Sequence, residues 1–163
     1  MGESKPHKIW LLIVAIILPN AGGWVGAALW QDKDWFENEV VQPSWRPPNW
    51  LFPVAWTIIY TLMGIASYYV WKESPSKEKL YLPLGVYCLQ LIFNWFWTPL
   101  FFIWHLILVS LIDIVILWVL IVVMIYLFFR VSKKSALMLA PYIIWVTIAT
   151  ALNANYYHLN KDL

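Results

Sequence analysis

Charge is scarce in this chain. Lys, Arg, Asp and Glu supply 12% of its 163 residues, about half the share of an ordinary soluble domain. Cysteine is nearly absent. The single Cys88 forms no intrachain disulfide and says nothing about redox compartment. The three histidines, His7, His105 and His158, lie too far apart for zinc-ligand spacing. A Gly-rich phosphate loop, a nucleophile elbow, an internal repeat and a low-complexity tract are all missing. These absences argue against a zinc enzyme, a nucleotide-phosphate site and a nucleic-acid binder, and they imply no catalytic residue, metal or cofactor. Haem ligation by His105 or His158 stays open, although neither lies deep in an apolar run.

What is present is apolar and aromatic. The chain is 62% apolar with 13 tryptophans, and its mean hydropathy is +0.66. A bilayer core needs roughly 20 apolar residues per helix. Spans are expected near 9–30, 50–71, 80–102, 105–129 and 135–157. The connections are too short to fold alone, so residues 1–163 are expected to be one all-α, integral membrane five-helix bundle.

The third and fourth spans have to be separated. No Asp, Glu, Lys or Arg occurs from Leu80 to Ile112, which as one helix would run about 50 Å. That is too long for one crossing, so the chain turns back near Pro99, Trp104 and His105. One long tilted helix is the alternative. The first span follows Lys5 and Lys8 like a signal peptide, but it continues through Pro19 and Asn20 to Trp30, too far for a signal sequence. A kink is expected at Pro19. With five crossings, Lys5, Lys8, Lys72, Lys77, Lys79, Arg130, Lys133 and Lys134 share one side, against Lys33, Arg46 and Lys161 on the other. Where the positive-inside rule applies, the N-terminus is cytoplasmic.

Helical spacing finds three inward stripes. They are Pro53, Trp56, Tyr60, Gly64 and Ser67 in span two, and Tyr87, Gln90, Asn94 and Trp97 in span three. Span five adds Tyr142, Trp145, Ala149, Asn153 and Tyr156. Amides inside a membrane turn to the bundle interior, where they either build a structural network or contact a ligand. Trp30, Trp50, Trp71 and Trp104 fit an interfacial belt. Trp56, Trp95, Trp97, Trp118 and Trp145 lie deeper, where an indole N–H needs the interior or a polar partner. Asp113, the one acid inside a span, is a candidate for a ligand or proton role, or for pairing with Asn20 or a backbone group. Gly22 and Gly26 form a small face suited to packing within the bundle. Loop 31–49 is acidic first, then stiffened by Pro43, Pro47 and Pro48, and presents Trp45 and Arg46 as a lid. Leu152, Tyr156 and Lys161 match a loose sterol pattern.

Taken in order, PSWRPPNW with FPVAWTIIYTLMGIASYYVW (Pro43 to Trp71), YCLQLIFNWFWTPLFF (Tyr87 to Phe102), Asp113 with Trp118, and PYIIWVTIATALN (Pro141 to Asn153) resemble the translocator protein family. Its members are also called tryptophan-rich sensory proteins (TspO/MBR) or peripheral-type benzodiazepine receptors. LPLGVY at Leu82 and SYYVWKE at Ser67 lean toward animal members. The resemblance implies one cavity under the first loop that takes porphyrins, benzodiazepine-site ligands and, in animals, cholesterol. Trp56 and Trp145 would flank the ligand, with Tyr60, Asn94, Trp97 and Ala149 alongside. Leu152, Tyr156 and Lys161 would form the sterol motif, weakened because Lys161 replaces an Arg and lies farther from Tyr156. Gln42 departs from the family's basic residue. The family also implies a homodimer through span three, where Gly85 is the only glycine. The location implied is the mitochondrial outer membrane in a eukaryote and otherwise a bacterial membrane. Two other functions stay open by the same resemblance. One is porphyrin degradation with light and oxygen, in which both tryptophans act as redox groups. The other is a scaffold for membrane proteins.

Overall fold

The computed structural model describes residues 8–29 and 34–161. Trp30 of the expected belt, Asp32 of the lid, His7, and Lys5 and Lys33 of the charge tally lie outside the described residues. Five crossings are present. They are α1 (Ile9–Leu29), α2 (Leu51–Glu73), α3 (Glu78–Phe102), α4 (Ile107–Val131) and a broken fifth made of α5 (Lys133–Met138) and α6 (Ala140–Leu159).

The helices close into a ring. α1 packs on α2, α2 on α5, α5 and α6 on α4, α4 on α3, and α3 back on α1. Interior positions carry the bulk of the packing, and Met63, Val70, Ile121, Met124, Phe128, Leu139 and Val146 are fully buried. The outer faces are equally apolar and stay exposed, as at Ile112, Val119 and Ile144. In water this would be a liability, whereas in lipid it is the expected outer face.

The prolines inside the crossings act differently from one another. α1 runs unbroken through Pro19. Pro19 has no N–H, so the Ala15 carbonyl has no helical donor. That carbonyl faces Gly64 of α2. A Cβ built on Gly64 would lie 2.4 Å from Ala15 O and 2.5 Å from Ile16 Cα. Gly22 and Gly26 lie against Trp95 and Thr98 of α3, so this face packs inside the bundle as expected. Pro141 divides the fifth crossing, because it cannot donate to Leu137 O. Leu139 takes φ −90° and ψ −1° at the break, and its N–H returns to Ala136 O at 3.1 Å. α3 passes Pro99 and ends at Phe102. Trp104 N–H then bonds Pro99 O at 2.9 Å and Leu106 N–H bonds Leu100 O at 2.9 Å. His105 completes the reversal with φ 56°, the one non-glycine residue at positive φ among those described.

Loop 1 begins with a π-helical turn, Trp35–Glu39, that buries Trp35 and Phe36. Trp35 stacks on His105 with centroids 3.9 Å apart, and Phe36 meets Phe101 edge-on at 6.0 Å. Phe101, Ile107, Leu152 and Tyr156 complete this small core. The first loop therefore lies across the end of the ring formed by the α3–α4 turn and the end of α6. Arg46 and Lys161 sit at this end. Lys8, Lys72, Lys77, Lys79, Arg130, Lys133 and Lys134 sit at helix termini and turns of the opposite end.

Candidate functional site: the α2–α6 seam beneath loop 1

α6 is the polar spine of the interior. At its deep end Tyr142 is fully buried between two amides. Tyr60 Oη donates to Asn94 Oδ1 at 2.6 Å, Asn94 Nδ2 donates to Tyr142 Oη at 2.9 Å, and Tyr142 Oη donates to Gln90 Oε1 at 2.8 Å. This chain ties α2, α3 and α6 together through side chains that lipid cannot satisfy. Nearer the lid, Trp97 Nε1 donates to Asn153 Oδ1 at 2.8 Å, and Asn153 Nδ2 donates to Ile107 O at 3.3 Å. Ser110 Oγ reaches the same Asn153 oxygen at 3.3 Å.

Between these two knots lies an aromatic seam. Trp56 stacks on Tyr60 with centroids 5.2 Å apart and meets Tyr142 edge-on at 6.3 Å. Phe52, one turn earlier in α2, meets Trp145 of α6 edge-on at 5.7 Å. Ala149, one turn beyond Trp145, is half-buried against the same core. The expected residues Trp56, Tyr60, Asn94, Trp97, Trp145 and Ala149 are therefore all on inward faces of neighbouring helices.

The five deep tryptophans divide into two groups. Trp97 has its acceptor in Asn153, and Trp95 Nε1 reaches Pro19 O at 3.4 Å. Trp118 takes the second of the two expected solutions, a polar partner rather than the interior. It is 36% exposed on the outer face, and its N–H donates to Thr147 Oγ1 at 2.8 Å. A partner on the neighbouring helix satisfies the indole without burying the ring. Trp56 and Trp145 are the remaining pair. Neither indole N–H has an acceptor among the described residues.

Loop 1 is fastened over this end by α6. Val41 N–H donates to Asn160 Oδ1 at 2.7 Å, and Asn160 Nδ2 donates to Val41 O at 3.1 Å. Tyr156 Oη donates to Gln42 Oε1 at 2.7 Å, while Gln42 Nε2 donates to Phe36 O at 2.6 Å. Gln42, where the family resemblance expected a basic residue, is thus the joint between lid and bundle. Of the two lid residues singled out, Trp45 is 45% exposed. Arg46 turns inward and lays its guanidinium over Phe36, 4.9 Å from the ring centre.

The sterol pattern does not form one surface. Leu152 and Tyr156 are buried beneath loop 1, and Lys161 is exposed beyond the end of α6. The inward turn of Tyr156 follows from its position one helical repeat after Asn153. Asp113 is buried, and its Oδ2 has no hydrogen-bond partner among the described residues. Its expected partner Asn20 donates instead to Ile16 O at 2.9 Å. Gly85 faces open space, with nothing within 4 Å of a Cβ built there. The two clefts described lie outside the seam. One of about 460 Å³ runs along Trp71, Leu84 and Gly85, and one of about 500 Å³ lies between Trp35, His105 and Tyr157.

A ring of five membrane-spanning helices, with amide knots inside and a fastened aromatic lid, defines a polytopic membrane protein. The TspO/MBR family profile matches residues 15–158, and the chain belongs to that family. It is 37% identical to the tryptophan-rich protein TspO of Chlorobaculum tepidum over 94% of this chain and 98% of that one. It is 39% identical to protein CrtK of Rhodobacter capsulatus over 94% of each. The translocator protein of Sus scrofa matches at 34% over 88% of this chain and 87% of that one. Among these three the bacterial proteins share slightly more residues with the chain than the porcine one, so the animal-like motifs at Ser67 and Leu82 do not carry through the full length.

Proposed function

We propose that this integral membrane protein is a translocator or receptor-type binder of a tetrapyrrole of the protoporphyrin IX kind, held between α2 and α6 beneath loop 1. The observation that carries this reading is the pair of indoles at Trp56 and Trp145. Both residues are half-buried, their N–H groups keep some open surface rather than being sealed in, so each can donate to an incoming group, and both sit on rings suited to stack against a flat aromatic body. A ligand with nitrogen or oxygen at its edge meets both needs. Several relatives are named translocator proteins, which agrees with a transport or receptor role. Sterol binding through Leu152, Tyr156 and Lys161 has less support, since two of the three turn into the lid. A bacterial membrane or the mitochondrial outer membrane are the proposed locations.

The test is a titration with protoporphyrin IX in the dark, followed by tryptophan quenching in the purified protein. Loss of one stacking contact at about 0.5–1.5 kcal/mol and one hydrogen bond at about 0.5–1.5 kcal/mol predicts that Trp145→Ala weakens binding by roughly five- to 150-fold. Saturable quenching with that weakening supports the reading. Non-saturable quenching, or equal affinity in the variant, overturns it and moves sterol binding or scaffolding forward.

A further inference from the structure

Arg46 is the one cation among the described residues that lies over two aromatic rings. It follows Pro43, Ser44 and Trp45 in a turn closed by its own N–H, which donates to Pro43 O at 3.1 Å. Pro47 and Pro48 then fix the backbone after it. The guanidinium is laid over two rings, with Phe36 4.9 Å away and Phe52 5.9 Å away. Its terminal amino group donates to the amide oxygen of Asn49, a neutral acceptor. Its Nε is buried and has no hydrogen-bond acceptor. No carboxylate pairs with Arg46 among the described residues.

A half-buried cation with neutral neighbours carries an unspent attraction for an anion. The guanidinium fork suits a carboxylate, which it can grip with two parallel N–H groups. Distance places this cation at the seam. Phe52 is the ring under Arg46 and is also the ring against Trp145, at 5.7 Å. A ligand lying along Trp145 would therefore bring its lid-side edge to within one aromatic ring of the guanidinium.

We infer that Arg46 is a specificity-determining contact that selects flat apolar ligands bearing a carboxylate at the lid-side edge over their uncharged counterparts. The inference rests on the tetrapyrrole reading above and adds to it a charge requirement. Neutral amphiphiles, sterols among them, gain nothing from this contact. The alternative source of an anion is a lipid phosphate at the membrane surface, which the test separates.

The experiment uses the whole protein in phosphatidylcholine nanodiscs, with empty nanodiscs to correct for partitioning. Protoporphyrin IX and its dimethyl ester are each titrated in the dark into the parent, Arg46→Gln and Arg46→Lys. The parent is expected to bind the diacid at least about tenfold more tightly than the ester, a difference of about 1.4 kcal/mol. Arg46→Gln should bring the diacid to the level of the ester and leave the ester unchanged, and Arg46→Lys should keep part of the preference. Equal affinity of the parent for both forms overturns the inference, and so does an equal loss for both forms in Arg46→Gln, which would mark a purely structural role. If the diacid preference disappears in the parent when phosphatidylglycerol is added, Arg46 holds a headgroup phosphate and the inference falls. If neither form binds saturably to the parent, the tetrapyrrole reading itself fails and takes this one with it.

Discussion

Replacing Gly64 by alanine should damage the bundle although the change adds a single methyl group. The new Cβ would stand 2.4 Å from Ala15 O, 2.5 Å from Ile16 Cα and 2.8 Å from Ala15 C. All three are backbone atoms of α1, so no side-chain rotation relieves the overlap, and the helices must separate by about 1 Å to restore contact distances near 3.5–4.0 Å. Overpacking of this kind costs about 1–3 kcal/mol. Three overlaps with backbone below 3.0 Å put Gly64 in the upper half of that range, about 2–3 kcal/mol; alanine returns about 1 kcal/mol of helix propensity, leaving a net loss of about 1–2 kcal/mol. Gly85→Ala is the internal control, because nothing lies within 4 Å of its Cβ. Thermal unfolding in a mild detergent should show Gly64→Ala several degrees below the parent, at about 2–4 °C per kcal/mol, and Gly85→Ala level with it or above. Equal stability of Gly64→Ala and the parent would refute the reasoning, as would an equal fall in both variants.

Three further outcomes follow from the interior. Tyr142→Phe removes one hydroxyl that bridges Asn94 and Gln90, leaving two buried amides short of a partner. It should lower thermal stability more than Tyr60→Phe, which removes one bond, each lost partner costing about 1–3 kcal/mol. Asn160→Ala severs both contacts to Val41, so hydrogen exchange at residues 40–46 should accelerate while the interior of α4 keeps its protection. Unchanged exchange at Val41 would show that the lid is held elsewhere. Trp118→Phe loses one hydrogen bond on the lipid face and should leave porphyrin affinity within twofold of the parent, as judged by dark quenching titration.

Much of the fold is legible because a membrane simplifies the problem. Length and hydropathy alone separate the crossings, and the uncharged run from Leu80 to Ile112 forces a reversal. The stripes were legible too, because a 3.6-residue repeat places Tyr60, Asn94 and Tyr142 on inward faces and amides have nowhere else to go. What was not legible depends on partners distant in sequence. Whether Trp118 would take the interior or a polar partner was not legible, because its acceptor, Thr147, lies on another helix. Tyr156 was placed on the inward stripe of its span, but the acceptor of its hydroxyl, Gln42 of loop 1, lies 114 residues away in sequence. Asn160 carried no signal at all, since its role as a fastener exists only once residue 41 is beside it. The break at Leu139 could have been read from Pro141, whose missing N–H dictates it.

The indole N–H groups offer the most direct test of the central claim that Trp56 and Trp145 receive the ligand. In a spectrum of the nitrogen-labelled protein, each tryptophan gives one indole resonance, assignable by single Trp→Phe substitutions. Addition of protoporphyrin IX in the dark should move the Trp56 and Trp145 resonances as their N–H groups gain an acceptor, while those of Trp95 and Trp118, already bonded outside the seam, stay in place. Resonances that all stay fixed, or that all move together, would contradict a site at the α2–α6 seam.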